Sequence, residues 1–169
     1  MSIWWSLHLR REAASVPLAR RLLLGTMETA GVDPDISFDL SVALSEACAN
    51  AVEHAGSATG YCVTAQIDGD CCRIEVADSG PGLSRDATTE FGRAPEFGRA
   101  PEFDRKPDWA LYPARPLTHR GQYAEHGRGL FLIEALVDHV RFHDRPGHGT
   151  VVSFDKVLKW RDDALLKAS

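Results

Sequence analysis

The sequence predicts an α/β chain on three observations. Two long helical patterns follow one another between Ser15 and Gly56. An alternating hairpin comes next, and a further helix with a second hairpin lies near the end of the chain. At 169 residues and 44% apolar content, the chain is expected to form a single domain, 1–169, around one well-filled core.

Residues 3–9 set Ile3, Trp5, Leu7 and Leu9 against Trp4, Ser6 and His8, the alternation of a first strand. Ser15 is placed to cap a helix with Pro17 in its first turn. Leu18, Leu22 and Met27 then recur at helical spacing until Gly31 stops it. Asp33-Pro34 supplies an N-cap and a first-turn proline for a second helix ending at Gly56. Advancing 100° per residue from Ile36 puts Leu40, Ala43, Leu44, Ala47 and Ala51 on one stripe. Phe38, Val42 and Val52 fall on the far side, so this helix is expected to be buried over most of its circumference.

Tyr61, Val63, Ala65 and Ile67 alternate along a strand closed by Asp68-Gly69-Asp70, and Cys72, Ile74 and Val76 return. Leu130 to Asp138 reads as an amphipathic helix. Val140 and Phe142 open a strand, Pro146-Gly147-His148-Gly149 makes a turn, and Thr150 to Phe154 pairs back. From Lys156 onward a short polar helix or frayed tail is expected.

A net charge of −5 argues against general nucleic-acid binding, which wants a basic face. Met1 to Trp5 is apolar but too short for a secretory signal or a membrane span. Cys48, Cys62, Cys71 and Cys72 have no Cys-x-x-Cys spacing, which favours reduced thiols in a cytoplasmic protein. Between Ser84 and His126 no apolar period is sustained. The hexapeptide Glu90 to Pro95 recurs unchanged at Glu96 to Pro101 and degraded at Glu102 to Pro107. So short a proline-rich unit cannot form a layer of core, and residues 90–107 read as a duplication in a loop that tolerates insertion, or as a docking segment that presents its phenylalanines.

Glu46 and Asn50 lie four residues apart, side by side at the edge of the apolar stripe. One reading is a solvated helix flank. The other is a carboxylate and an amide facing a polar cleft, suited to positioning a water, a hydroxyl or a metal ion. Three glycine-containing turns accompany them. Asp78, Gly80 and Gly82 end a strand, where glycine lets a ligand approach and the aspartate accepts hydrogen bonds from an amino group. Gly127 and Gly129 open a helix, whose N–H groups suit phosphate. Gly149-Thr150 starts a strand with a hydroxyl donor.

In this order the four motifs resemble the ATPase superfamily of gyrase B, heat-shock chaperones, histidine kinases and mismatch-repair ATPases, the Bergerat fold. The resemblance covers roughly residues 10–155. Glu46-x-x-x-Asn50 looks like its N-box, Asp78-x-Gly80-x-Gly82 its G1 box, Gly127-x-Gly129 its G2 box and Gly149-Thr150 its final box. The runs LSEACANAVEHA (44–55) and GRGLFLIEALVD (127–138) are most similar to the anti-sigma-factor serine kinases. The resemblance implies a two-layer sandwich, a mixed, mostly antiparallel sheet with helices on one face, and ATP under a lid at 84–126.

By position it assigns Asn50 to Mg2+, Asp78 to the adenine amino group and Glu46 to the attacking hydroxyl as base. Gly80, Gly82, Gly127, Arg128, Gly129, Leu130 and Thr150 would complete the nucleotide site. Arg120 and Arg128 are the candidates for a lid arginine at the γ-phosphate. The implied function is a serine/threonine-protein kinase that phosphorylates a small antagonist protein and regulates transcription through a sigma factor, acting as a homodimer with no direct nucleic-acid or membrane partner. The alternative is a non-catalytic, nucleotide-gated module that sequesters a regulatory partner.

Overall fold

The structure is a computed structural model, which describes residues 2–54, 58–78, 127–145 and 149–164. The elements are β1 (Ser2–Arg10), α1 (Ser15–Ala30), α2 (Pro34–His54), β2 (Gly60–Asp68), β3 (Cys71–Asp78), α3 (Gly127–Leu136), β4 (His139–Arg145) and β5 (Gly149–Val157). The strands form one sheet in the order β1-β2-β3-β5-β4. Every ladder among the described residues is antiparallel, which sharpens the expected mostly antiparallel sheet.

The strand alternation sets which face meets the helices. Tyr61, Val63, Ala65 and Ile67 of β2 are buried and stand opposite Asp78, Val76, Ile74 and Cys72 of β3. Directly opposed residues share a face, so this row, continued by Val152 and Phe154 of β5, is the floor of the core. Leu23 and Met27 of α1, Leu40 and Leu44 of α2 and Ile133 of α3 cover it, all fully buried. Each such side chain contributes about 1.5–3 kcal/mol by leaving water.

Three expectations about the helices are corrected. Ser15 does not cap α1 by accepting an N–H. Its hydroxyl donates to Glu12 O at 2.6 Å, and the entering turn supplies carbonyls of Glu12 and Ala13 to the first N–H groups instead. The second helix is not buried all round: Phe38 is 64% exposed, because the single sheet covers only one side of it. The third helix stops at Leu136 rather than Asp138, whose N–H donates to Asp155 O and whose carboxylate accepts Val157 N–H at 2.6 Å.

Over its described residues, 157–164, the segment after Lys156 is also not a polar helix or a frayed tail. Strand β5 runs to Val157, and Leu158 and Ala164 are buried. Asp33 N–H donates to Lys159 O, Arg161 N–H to Gly31 O, and Trp160 Nε1–H to Asp70 Oδ1 at 2.6 Å. Apolar side chains spaced among the charges let this segment close the end of the sandwich where α1 turns into α2. At that turn Gly31 has φ 86°, the left-handed geometry that ends α1, and a Cβ there would stand 2.6 Å from Ala164.

Candidate active site

The second helix begins as the sequence reads: Asp33 Oδ1 accepts Asp35 N–H at 2.9 Å and Ile36 N–H at 3.4 Å. From that capped start it runs the length of the sandwich and carries residues 46–50 to the opposite end. There Cys48, fully buried, hydrogen-bonds the Tyr61 hydroxyl. Tyr61 stands opposite Asp78 in the β2–β3 ladder. The 46–50 turn and the end of β3 therefore share one pole of the domain.

A short buried chain fixes this pole. The one proton of Ser15 goes to Glu12 O, so at 2.6 Å the Tyr61 hydroxyl must donate to Ser15, leaving its oxygen to accept from Cys48. Burial pushes the Cys48 thiol up to about 12 and the Tyr61 hydroxyl up to about 12. Both stay neutral and inert, and they hold α2 against β2. Arg11 reinforces the same end by donating to the carbonyls of Val52 and Glu53.

Glu46 and Asn50 are half-buried, side by side on α2. The first turn of α3 lies against them: a Cβ built on Gly129 would meet Glu46 Oε2 at 2.9 Å, Asn50 Oδ1 at 3.6 Å and Asn50 Nδ2 at 3.7 Å. The Gly-x-Gly motif thus forms the opening turn of α3 itself and brings the positive end of that helix to the carboxylate–amide pair. The side chain of Leu130, a residue expected at the nucleotide, packs into the core and is 7% exposed.

At the neighbouring strand end, Asp78 Oδ1 accepts Thr150 N–H at 2.8 Å. Gly149, with φ 87°, turns the chain into β5 immediately before it. The contribution of Thr150 here is its backbone N–H, where the sequence suggested the hydroxyl. The structure therefore brings Glu46, Asn50 and Gly129 together, and joins Asp78 to Thr150 at the same pole. Gly80, Gly82, Arg120, the hexapeptides and the rest of 84–126 lie outside the described residues; Gly127 and Arg128 are described only as helix backbone.

Sequence reasoning missed two features. The contact between Gly129 and Glu46 has no local signal, because the residues are far apart in the chain. The Cys48–Tyr61–Ser15 chain had a partial one: a cysteine in the middle of the second helix and a tyrosine at the start of an alternating strand.

The residues fit magnesium-ATP. Asp78 offers a carboxylate at a strand end, and beside Gly129 stand the Glu46 carboxylate and the Asn50 amide, whose oxygens are donors of the kind a hard cation takes. Among the described residues no three His, Cys, Asp or Glu side chains converge on a metal-sized site. A cation here would thus complete its shell with phosphate and water, as magnesium commonly does.

Comparison with known proteins identifies the family. The family described as histidine kinase-like ATPase domain matches residues 9–156. The serine-protein kinase RsbW of Bacillus licheniformis is 33% identical over 148 residues, covering 85% of this chain and 78% of the relative. The anti-sigma F factor of Pasteuria penetrans is 31% identical over 139 residues, covering 77% and 75%. Among solved structures, the RsbU and RsbW domains of Rv1364c from Mycobacterium tuberculosis superpose with a TM-score of 0.56 at 25% identity. That match covers 91% of this chain, which spans about a third (32%) of the larger protein.

Proposed function

Because the chain belongs to the histidine kinase-like ATPase domain family, we propose that it is an ATP-dependent serine/threonine-protein kinase of the anti-sigma-factor type. The observation that carries this reading is the meeting of α2 and α3 at Gly129, which stands the Glu46 carboxylate beside the Asn50 amide. Bound magnesium-ATP supplies the transferable phosphoryl group and most of the charge neutralisation.

The protein's own residues bind and orient. Asp78, with Oδ1 on Thr150 N–H, accepts from the adenine amino group. Asn50 holds the cation. Gly80 and Gly82 let the nucleotide approach the strand end, and the helix start at Gly127, Arg128 and Gly129 faces the phosphates. The Leu130 side chain anchors that helix in the core, so its part in the nucleotide site would be its backbone N–H. Glu46 orients the partner's serine or threonine hydroxyl and takes its proton, a task that typically contributes about 10²–10⁴ in rate.

Residues 84–126 act as the lid over the nucleotide, within one domain spanning 1–169. The acceptor is a small antagonist protein, and the regulated partner is a sigma factor, in keeping with the relative named an anti-sigma F factor. The working form is a cytoplasmic homodimer. Among the described residues no helix is long and apolar enough to cross a membrane.

The test is direct. Purified protein is mixed with labelled magnesium-ATP and candidate antagonists, and label is sought on a serine or threonine of the partner. Transfer supports the kinase. Partner binding without transfer, at saturating nucleotide, replaces it with a nucleotide-gated sequestering module.

A further inference from the structure

We propose that Gly129 is a positioning residue for Glu46: its missing side chain leaves the space in which the Glu46 carboxylate stands against the first turn of α3. This rests on the kinase reading and gives the glycine a task separate from any contact with phosphate. The argument is steric. A Cβ at 129 would lie 2.9 Å from Glu46 Oε2, closer than carbon and oxygen pack. The Asn50 amide atoms, at 3.6 and 3.7 Å, would be in ordinary contact. A methyl group there conflicts with Glu46 and leaves Asn50 in place.

The atom in conflict is the far end of a flexible side chain, so relief takes only a rotation of Glu46. That rotation costs little stability, and adding Cβ inside a helix favours the helical state. It does move the proton acceptor. A displacement of about 1 Å at a reacting group is enough to lower a rate by about 10²-fold. The N-terminal end of α3 also attracts the carboxylate electrostatically, which helps keep Glu46 in the space that Gly129 leaves.

A double-mutant cycle reads this out with Gly129→Ala, Glu46→Asp and the two combined. Aspartate is one methylene shorter and withdraws the carboxylate from the new methyl. In the Glu46 background, Gly129→Ala is expected to lower kcat for transfer by about tenfold or more. The melting temperature should stay close to wild type. In the Glu46→Asp background the same change should alter kcat by no more than about twofold. Equal losses in both backgrounds or an unchanged rate would each overturn the assignment. Should Gly129→Ala alone fail to fold, folding of the combined variant confirms the conflict with Glu46, and failure of both refutes it. A wild type that transfers no phosphate defeats the kinase reading and this assignment with it, a result distinct from an active enzyme whose two substitutions act independently.

Discussion

The two ends of the sandwich are built from the same elements and put to different use. At one end, where α1 turns into α2, Leu158 and Ala164 are buried and Val32 bridges to Trp160. Polar groups there are matched within the chain: Asp33 N–H to Lys159 O, Trp160 Nε1–H to Asp70. At the other end the half-buried side chains are Glu46, Asn50, Asp78 and Thr150, beside a glycine that leaves space. One end spends its residues on closure. The other presents acceptors and backbone N–H groups at a place where a charged ligand can meet them. The lesson is that α2 serves as a beam: its capped, enclosed start fixes the position of Glu46 and Asn50 at its far end.

This contrast can be pushed hardest with alkali, because the chain that braces the active end must stay protonated. The Cys48 thiol rises from 9.0 to about 12 on folding, and the Tyr61 hydroxyl from 10.0 to about 12. Between these values the unfolded chain releases protons that the folded one keeps. The resulting stabilisation is fully present below pH 9 and is lost as pH rises through about 12. Each such group should lower stability by about 1.4 kcal/mol per pH unit in that window. Urea unfolding from pH 8 to 11 checks it, and Cys48→Ala should flatten the slope by about that amount per unit. An unchanged slope would mean that Cys48 is not part of the brace.

Next in size, Gly31→Ala strikes the closed end. It combines a left-handed backbone with a Cβ 2.6 Å from Ala164, so it should cost about 2–4 kcal/mol. At about 2–4 °C per kcal/mol for a chain of this size, the melting temperature reports it directly. If the two ends are as distinct as the structure implies, ATP affinity per folded molecule should hardly move.

Asp78→Asn makes the reciprocal cut. The amide oxygen can keep Thr150 N–H at Oδ1, so the fold should survive, while the other oxygen is replaced by an NH2 group that donates. Nucleotide binding should weaken by roughly 1.5–3 kcal/mol, measured by calorimetry. Affinity within a factor of about two of wild type would remove Asp78 from the adenine site. The smallest effect expected is from Trp160→Phe, which deletes the hydrogen bond to Asp70 and keeps most of the ring. About 0.5–1.5 kcal/mol of stability should go, with phosphotransfer unchanged.

Much of this architecture was legible in the chain. The alternation of Tyr61, Val63, Ala65 and Ile67, the Asp33 cap and the Gly31 stop all reappear as read. These are local signals, in which period or cap chemistry alone decides the outcome. What was misread depends on neighbours distant in sequence. Phe38 could not be known as exposed without knowing that one sheet covers one side of α2. The residues after Lys156 looked polar because the few apolar ones that matter, Leu158, Trp160 and Ala164, follow the path of the chain over Gly31 rather than a period. The site divided the same way. Glu46 and Asn50 were visible as a pair on one helix, whereas Gly129 against Glu46 and Asp78 against Thr150 exist only through the packing of α3 and β5.

The central claim is that the end carrying Glu46 performs chemistry and does not only hold nucleotide. Glu46→Ala tests it most directly, with magnesium-ATP affinity and single-turnover transfer to the antagonist measured on the same preparation. Affinity should remain close to wild type, since Asp78, Asn50 and the helix start at Gly127 are untouched. Transfer should fall by about 10²–10⁴. Transfer as fast as wild type would contradict the account and leave Glu46 a structural residue on the flank of α2.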